Sequence, residues 1–147
     1  MHSFRSSRPG IALLVIAGAL FGSPSAQACS CLPPPPPLES AAQATVVFVG
    51  KVVAEQPGEK KSSRARKFEF AVEEVLSGTG KATLLVSTGP NSASCGCDFE
   101  IGVSYLVYAY GELTSLGTNL CTRTSRLTNK GVLNEVALLR DAKRAPK

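Results

Sequence analysis

The sequence predicts a mainly β domain, a small closed barrel or a sandwich, with one helix near its C-terminal end. Five apolar segments, rich in β-branched and aromatic residues, follow one another at short intervals. Loops rich in glycine, proline and serine separate them. No long helical segments alternate with the strands, which argues against a parallel α/β sheet.

The chain begins with a segment typical of a secretory signal. Two arginines precede an apolar run, residues 11–21, and an Ala-Gln-Ala sequence at 26–28 supplies the small residues that signal peptidase requires. The run is shorter than the roughly 20 residues of a membrane span, so we expect no stable membrane span. Residues 1–28 are therefore predicted to be removed. The mature domain, residues 29–147, would begin at Cys29 and be secreted or periplasmic.

The elements of the mature domain follow in order. Five prolines, residues 33–37, predict an extended polyproline stretch, and residues 38–44 can form a short helix. Alternating apolar residues or β-branched runs between turn signals predict strands over 45–53, 67–76, 82–88, 103–110 and, more weakly, 113–120.

Two further features complete the predicted architecture. Gly50 interrupts the first strand where a bulge is easy. Asn129 can cap a helix that runs through Leu139, with apolar residues spaced for one face, and residues 141–147 form a basic tail that is expected to fray.

The charge pattern excludes one class of partner. The predicted signal removes two arginines and no acids, which leaves 14 basic against 11 acidic side chains, a net charge of +3. Apart from Lys60-Lys61 and the tail, these charges are scattered. A nucleic-acid interface needs a concentrated basic face with aromatic or glycine-rich motifs. We therefore expect no nucleic-acid partner.

All five cysteines, at positions 29, 31, 95, 97 and 121, lie in the mature domain. Export would place them in an oxidising compartment where disulfides persist, and their odd number leaves at least one thiol unpaired. Cys95-Gly96-Cys97 could be a redox or copper-binding pair, although redox pairs usually have two residues between the cysteines. The only histidine, His2, lies in the signal, so the mature domain has no imidazole for general base catalysis or for a conventional zinc site.

The order of these motifs resembles the N-terminal inhibitory domain of the tissue inhibitors of metalloproteinases. That domain also begins with Cys-x-Cys and nearby prolines, here Cys-Ser-Cys-Leu-Pro at 29–33. A strand phrase, Val-Phe-Val-Gly-Lys-Val at 47–52, and a small polar Cys-Gly segment at 92–96 follow in the family's order. Phe99, a stretch rich in tyrosine and leucine at 105–109, and Leu120-Cys121 complete the resemblance.

The resemblance implies a five-stranded OB-fold Greek-key barrel with a C-terminal helix, stapled by disulfides. It implies the pairs Cys29–Cys95 and Cys31–Cys121 and leaves Cys97 as the free thiol. The choice of Cys95 over Cys97 as partner of Cys29 rests on the resemblance alone. The third disulfide of the family's inhibitory domain, and its second disulfide-rich domain, have no counterpart in this sequence.

The resemblance also implies a function, inhibition of zinc metalloendopeptidases by a protein that is no enzyme and has no cofactor of its own. The α-amine and carbonyl oxygen of Cys29 would bind the zinc of the protease. Ser30 would enter the primed-side pocket. The other implied contact residues are Cys31, Leu32 and Pro33 along the cleft, and Ser92, Ala93 and Ser94, clamped by Cys95, on the unprimed side.

Two alternatives remain at this stage. A lipoprotein would also begin at Cys29, but with an acylated amine that could not bind zinc; lipoprotein signals prefer leucine at the position that Ala26 occupies. A non-inhibitory periplasmic or surface module could instead use the barrel face to bind a protein or a saccharide, because OB folds serve many functions.

Overall fold

The computed structural model describes residues 29–57 and 65–145. The predicted signal, residues 1–28, lies outside the described residues, and cleavage before Cys29 stays a prediction. The helices are α1 (Pro37–Gln43) and α2 (Lys130–Arg144), and a 3-10 turn spans Ser92–Ser94. The strands are β1 (Val46–Gln56), β2 (Arg66–Gly78), β3 (Thr83–Thr88), β4 (Ser104–Glu112), β5 (Ser115–Gly117) and β6 (Ser125–Arg126).

Five strands close into a barrel. β1 pairs antiparallel with both β2 and β4, and β2 pairs antiparallel with β3. β3 lies parallel to β5, which pairs antiparallel with β4 and completes the cycle β1-β2-β3-β5-β4. The two-residue β6 pairs antiparallel with Tyr105 and Leu106 of β4, on the edge opposite β1. The predicted mainly β, five-stranded, OB-fold-like barrel with a C-terminal helix is confirmed.

The barrel interior is filled by aromatic side chains that meet edge to face. Phe99 contacts Phe68, Phe70 and Tyr105, and Phe48 contacts Phe70, with ring centroids 4.9 to 5.6 Å apart. Such pairs contribute about 0.5–1.5 kcal/mol beyond their buried area. These side chains come from β1, β2, β4 and the loop before β4, so their contacts join the early strands of the chain to a late one.

The outer faces of β1 and β4 are buried under the helices. Val47 and Val49 of β1 and Tyr108 of β4 pack against α2, through Val136 and Leu139 among others. Because both faces of these strands are covered, the sequences of β1 and β4 are nearly continuous apolar runs. A bulge at Val49/Gly50, as predicted, bends β1 where its pairing with β2 shifts register.

The structure corrects the predicted bounds of the fifth strand and of both helices. The predicted strand over 113–120 is paired only at Ser115–Gly117. The Thr118 amide still donates to the Ser87 carbonyl of β3, and the chain then turns where the Thr118 hydroxyl hydrogen-bonds with the hydroxyls of Thr122 and Thr124. The short β6 was not predicted, since two residues show no periodicity.

The expected frayed tail is also wrong for its first part, because α2 continues to Arg144. Arg140 forms a bidentate pair with Glu74 of β2, and the Lys143 amine donates to the Val75 carbonyl. Basic residues in the last turn also suit the helix dipole. The short first helix begins at Pro37 rather than Leu38, since proline is tolerated at the first helical position. No helix in the described residues is long and apolar enough to cross a membrane.

Candidate functional site

The segment that begins at Cys29 is fastened to the barrel at two points. One disulfide joins Cys29 to Cys95 and a second joins Cys31 to Cys121, with Cα–Cα distances of 5.2 and 5.1 Å. These are the pairs that the resemblance implies. The four sulfur atoms lie within 4.8 Å of one another. Cys29 and Cys31 are thus each bonded to a different loop. This fixes both the position and the direction of the segment.

The loop that carries Cys95 is held by hydrogen bonds to the side chain and the carbonyl of Asn91. The Asn91 side-chain oxygen accepts a hydrogen bond from the Ser94 amide at 3.0 Å, and the Asn91 carbonyl accepts from Gly96 at 2.8 Å. Cys95 has a left-handed backbone, with a φ of 57°. Gly96 is required next to it, because a Cβ there would lie 2.2 Å from the Gly89 carbonyl oxygen.

The two loops that receive the disulfides are joined directly. The Leu120 amide donates to the Cys95 carbonyl at 2.9 Å. The Asn119 side chain accepts from the Cys121 amide at 2.8 Å and so shapes the second loop. Residues 29–33, the Ser92–Cys95 loop and the Cys121 loop therefore form one connected end of the barrel.

We call residues 29–33 and 92–95 the cystine ridge. All nine sequence-predicted contact residues belong to it: Cys29, Ser30, Cys31, Leu32, Pro33, Ser92, Ala93, Ser94 and Cys95. Leu32 is 87% exposed, the most exposed large apolar side chain among the described residues. Residues 29–34 and 91–97 carry no charged side chain. The ridge is therefore an exposed and partly apolar surface without charged side chains, which could enter a narrow cleft without desolvating a side-chain charge.

Cys97 points the other way, into the barrel. It is 5% exposed and packs in the aromatic core, while its amide donates to the Thr88 hydroxyl at 2.8 Å. Burial raises the pKa of the Cys97 thiol to about 11, against a smaller lowering by the Thr88 hydrogen bond. Cys97 is free and Cys95 is in a disulfide, so the two do not form a redox or copper-binding pair.

The buried thiol gives a direct test of this arrangement. In the native protein at pH 8, we expect iodoacetamide to leave every cysteine unmodified, since a thiol with a pKa near 11 is about 0.1% thiolate and is also inaccessible. After unfolding in guanidinium without reductant, one adduct should appear, at Cys97. Peptide mass mapping locates it. An adduct at Cys95 or Cys29 would show that the cysteines pair differently.

Some residues that shape the site were not predicted. Asn91 could have been recognised, because Asn followed by small polar residues is typical of a capped turn. Arg123 gave no signal, since its partners Glu135 and Pro35 lie 12 and 88 residues away along the chain. The only cluster of metal-ligand donors in residues 29–57 and 65–145 is the four disulfide cysteines, whose sulfurs are already bonded.

Comparison with protein-family models and with curated proteins finds no match to this chain. The ridge itself and the order of motifs in the sequence are therefore the features that bear on function.

Proposed function

We propose that this protein is an exported inhibitor of zinc metalloendopeptidases. One observation above all supports the proposal. The segment that would begin the mature chain is anchored by two disulfides beside a second exposed loop, so the backbone atoms of Cys29 would sit at the front of a rigid ridge. The resemblance to the tissue inhibitors of metalloproteinases supports the same assignment.

The chemistry follows from the coordination of a catalytic zinc. Such a zinc has three protein ligands and one position that holds water. Once the signal is removed, the α-amine and the carbonyl oxygen of Cys29 would replace that water as a five-membered chelate. An α-amine with an ordinary pKa of about 7.7–8.0 is roughly one-tenth neutral at pH 7, so deprotonation costs about 1 kcal/mol. A zinc–nitrogen bond exceeds this cost.

The remaining ridge residues would supply affinity and selectivity. Ser30 follows the chelating residue and would meet the primed-side pocket, where a small hydroxyl accommodates pockets of several shapes. Leu32 is 87% exposed, and burying such a side chain contributes about 1.5–3 kcal/mol. Because the disulfides already hold the segment, little conformational entropy is lost on docking.

Coordination can be observed on a cobalt-substituted zinc endopeptidase. Cobalt in the catalytic site absorbs visible light according to its ligands. We expect the mature protein, with Cys29 first, to change that spectrum at stoichiometric concentration as a nitrogen ligand replaces water. The same protein acetylated on its α-amine is the matched control and should leave the spectrum unchanged.

Two results would contradict the proposal. Binding without any spectral change would favour the non-inhibitory interaction module. Mass analysis of the exported protein that finds a lipid on Cys29, or a first residue other than Cys29, would remove the chelating amine.

A further inference from the structure

The carbonyl of Pro35 is held by two hydrogen bonds. The Ser40 hydroxyl, on the buried face of α1, donates to it at 2.9 Å, and the Arg123 guanidinium donates at 3.1 Å. A carbonyl oxygen has two lone pairs, so both are used. This fixes the backbone four residues after Cys31, at the point where the proline stretch turns into α1.

Arg123 is itself fixed by a partly buried network. Its guanidinium forms a bidentate pair with Glu135 of α2, with nitrogen–oxygen distances of 2.8 and 2.6 Å. The Arg123 and Glu135 side chains are only 24% and 11% exposed. The hydroxyl of Tyr108, on β4, donates to the same carboxylate at 2.7 Å. Planar, bidentate pairs of this kind orient the arginine as well as binding it.

The network and the second disulfide share one short loop. Arg123 follows Cys121 by two residues, and Cys121 holds Cys31. Leu32, Pro33 and Pro34 therefore span a gap between two anchors, the Cys31–Cys121 disulfide and the Pro35 carbonyl. All three are exposed. Prolines restrict the backbone between the anchors, so the direction of Leu32 depends on where both ends are held.

We infer that Arg123, held by Glu135, is a positioning residue that sets the direction of residues 32–34 on the cystine ridge. It would not touch the protease. The inference rests on the proposed function for its effect on inhibition, but its structural part can be measured on the free protein.

The test compares two arginines of similar bonding. R123A removes the anchor at Pro35. R140A removes the bidentate Arg140–Glu74 pair, which joins the same helix α2 to the barrel but makes no hydrogen bond to residues 29–36. Both variants retain the two disulfides. Their free energies of unfolding are measured, so that the two variants are compared at known stability. R123K keeps the charge and one donor nitrogen, so its effects on Leu32 order and on inhibition should lie between those of R123A and the unmodified protein.

Two readouts separate ordering from inhibition. In the free protein, NMR relaxation of the Leu32 methyl groups should show lower order in R123A and no change in R140A. Against a zinc endopeptidase, the inhibition constant should rise about tenfold or more in R123A, because the loosened segment must then be ordered on docking, at a cost in conformational entropy. It should stay within about twofold in R140A.

Each outcome decides the matter. Unchanged Leu32 order in R123A overturns the inference, whatever happens to inhibition. Equal losses in R123A and R140A would show a general loss of stability and would also overturn it. If the unmodified protein inhibits no zinc endopeptidase, the proposed function fails, while Leu32 order still tests the anchor. If R123A does not fold, S40A and R123K carry the same two measurements, because each weakens the hold on the Pro35 carbonyl.

Discussion

One alanine placed before Cys29 should abolish inhibition of zinc endopeptidases. The extension turns the α-amine that is proposed to chelate into an amide, which does not bind zinc, and adds bulk where the ridge would meet the metal. We expect the inhibition constant to rise by on the order of 10³-fold, equivalent to about 4 kcal/mol. Inhibition assays on the purified, disulfide-bonded protein measure this directly.

The matched control carries the same extra alanine after Lys147. That end follows α2, which packs on the outer face of the barrel through Val132, Val136 and Leu139. The C-terminal extension should leave inhibition and stability unchanged. If the N-terminally extended protein inhibits as well as the unmodified one, Cys29 does not chelate the metal and the ridge acts in another way.

Removing the Cys31–Cys121 disulfide should have the largest effect on stability. This bond closes a loop of 90 residues, and the chain-entropy model assigns such a loop about 4–5 kcal/mol. Since a domain of this kind has a total stability of about 5–15 kcal/mol, the loss would remove between roughly a third and nearly all of that stability. Denaturant unfolding of C31S/C121S at 25 °C measures the difference in free energy.

C97A provides the control for this comparison. It also removes a cysteine sulfur, from the buried core, but opens no loop, so we expect a cost of about 1 kcal/mol. A loss in C31S/C121S no larger than that in C97A would mean that the disulfide contributes little beyond packing. The Cys29–Cys95 bond is less suited to the test, because changing Cys29 alters the proposed chelating residue as well.

The two predictions address separate parts of the proposal. The alanine extension tests the chemistry of one amine and leaves both disulfides in place. The C31S/C121S variant tests the rigidity of the ridge and leaves the amine free. An inhibitor that tolerates the second change but not the first would rely on chelation more than on preorganisation.

Much of the barrel follows from local patterns. Alternation in the segment around Phe68 and Phe70 predicted β2, and β-branched runs predicted β1, β3 and β4. Asn129 predicted the start of α2. The position of its end was missed, because the helix continues through contacts with β2, and Glu74 and Arg140 are 66 residues apart. The predicted fifth strand is longer than the observed one, because its pairing with β3 and β4 depends on how the barrel closes.

The sequence by itself determined a mainly β domain and an odd number of cysteines, and it predicted a signal followed by an N-terminal cysteine. These depend on the order of residues along the chain and on short-range periodicity. Only the tertiary structure decided that Cys97 faces the core while Cys95 faces Cys29, and that Arg123 meets Pro35. Those choices depend on which segments the closed barrel brings together, and residues far apart along the chain leave no local trace of meeting.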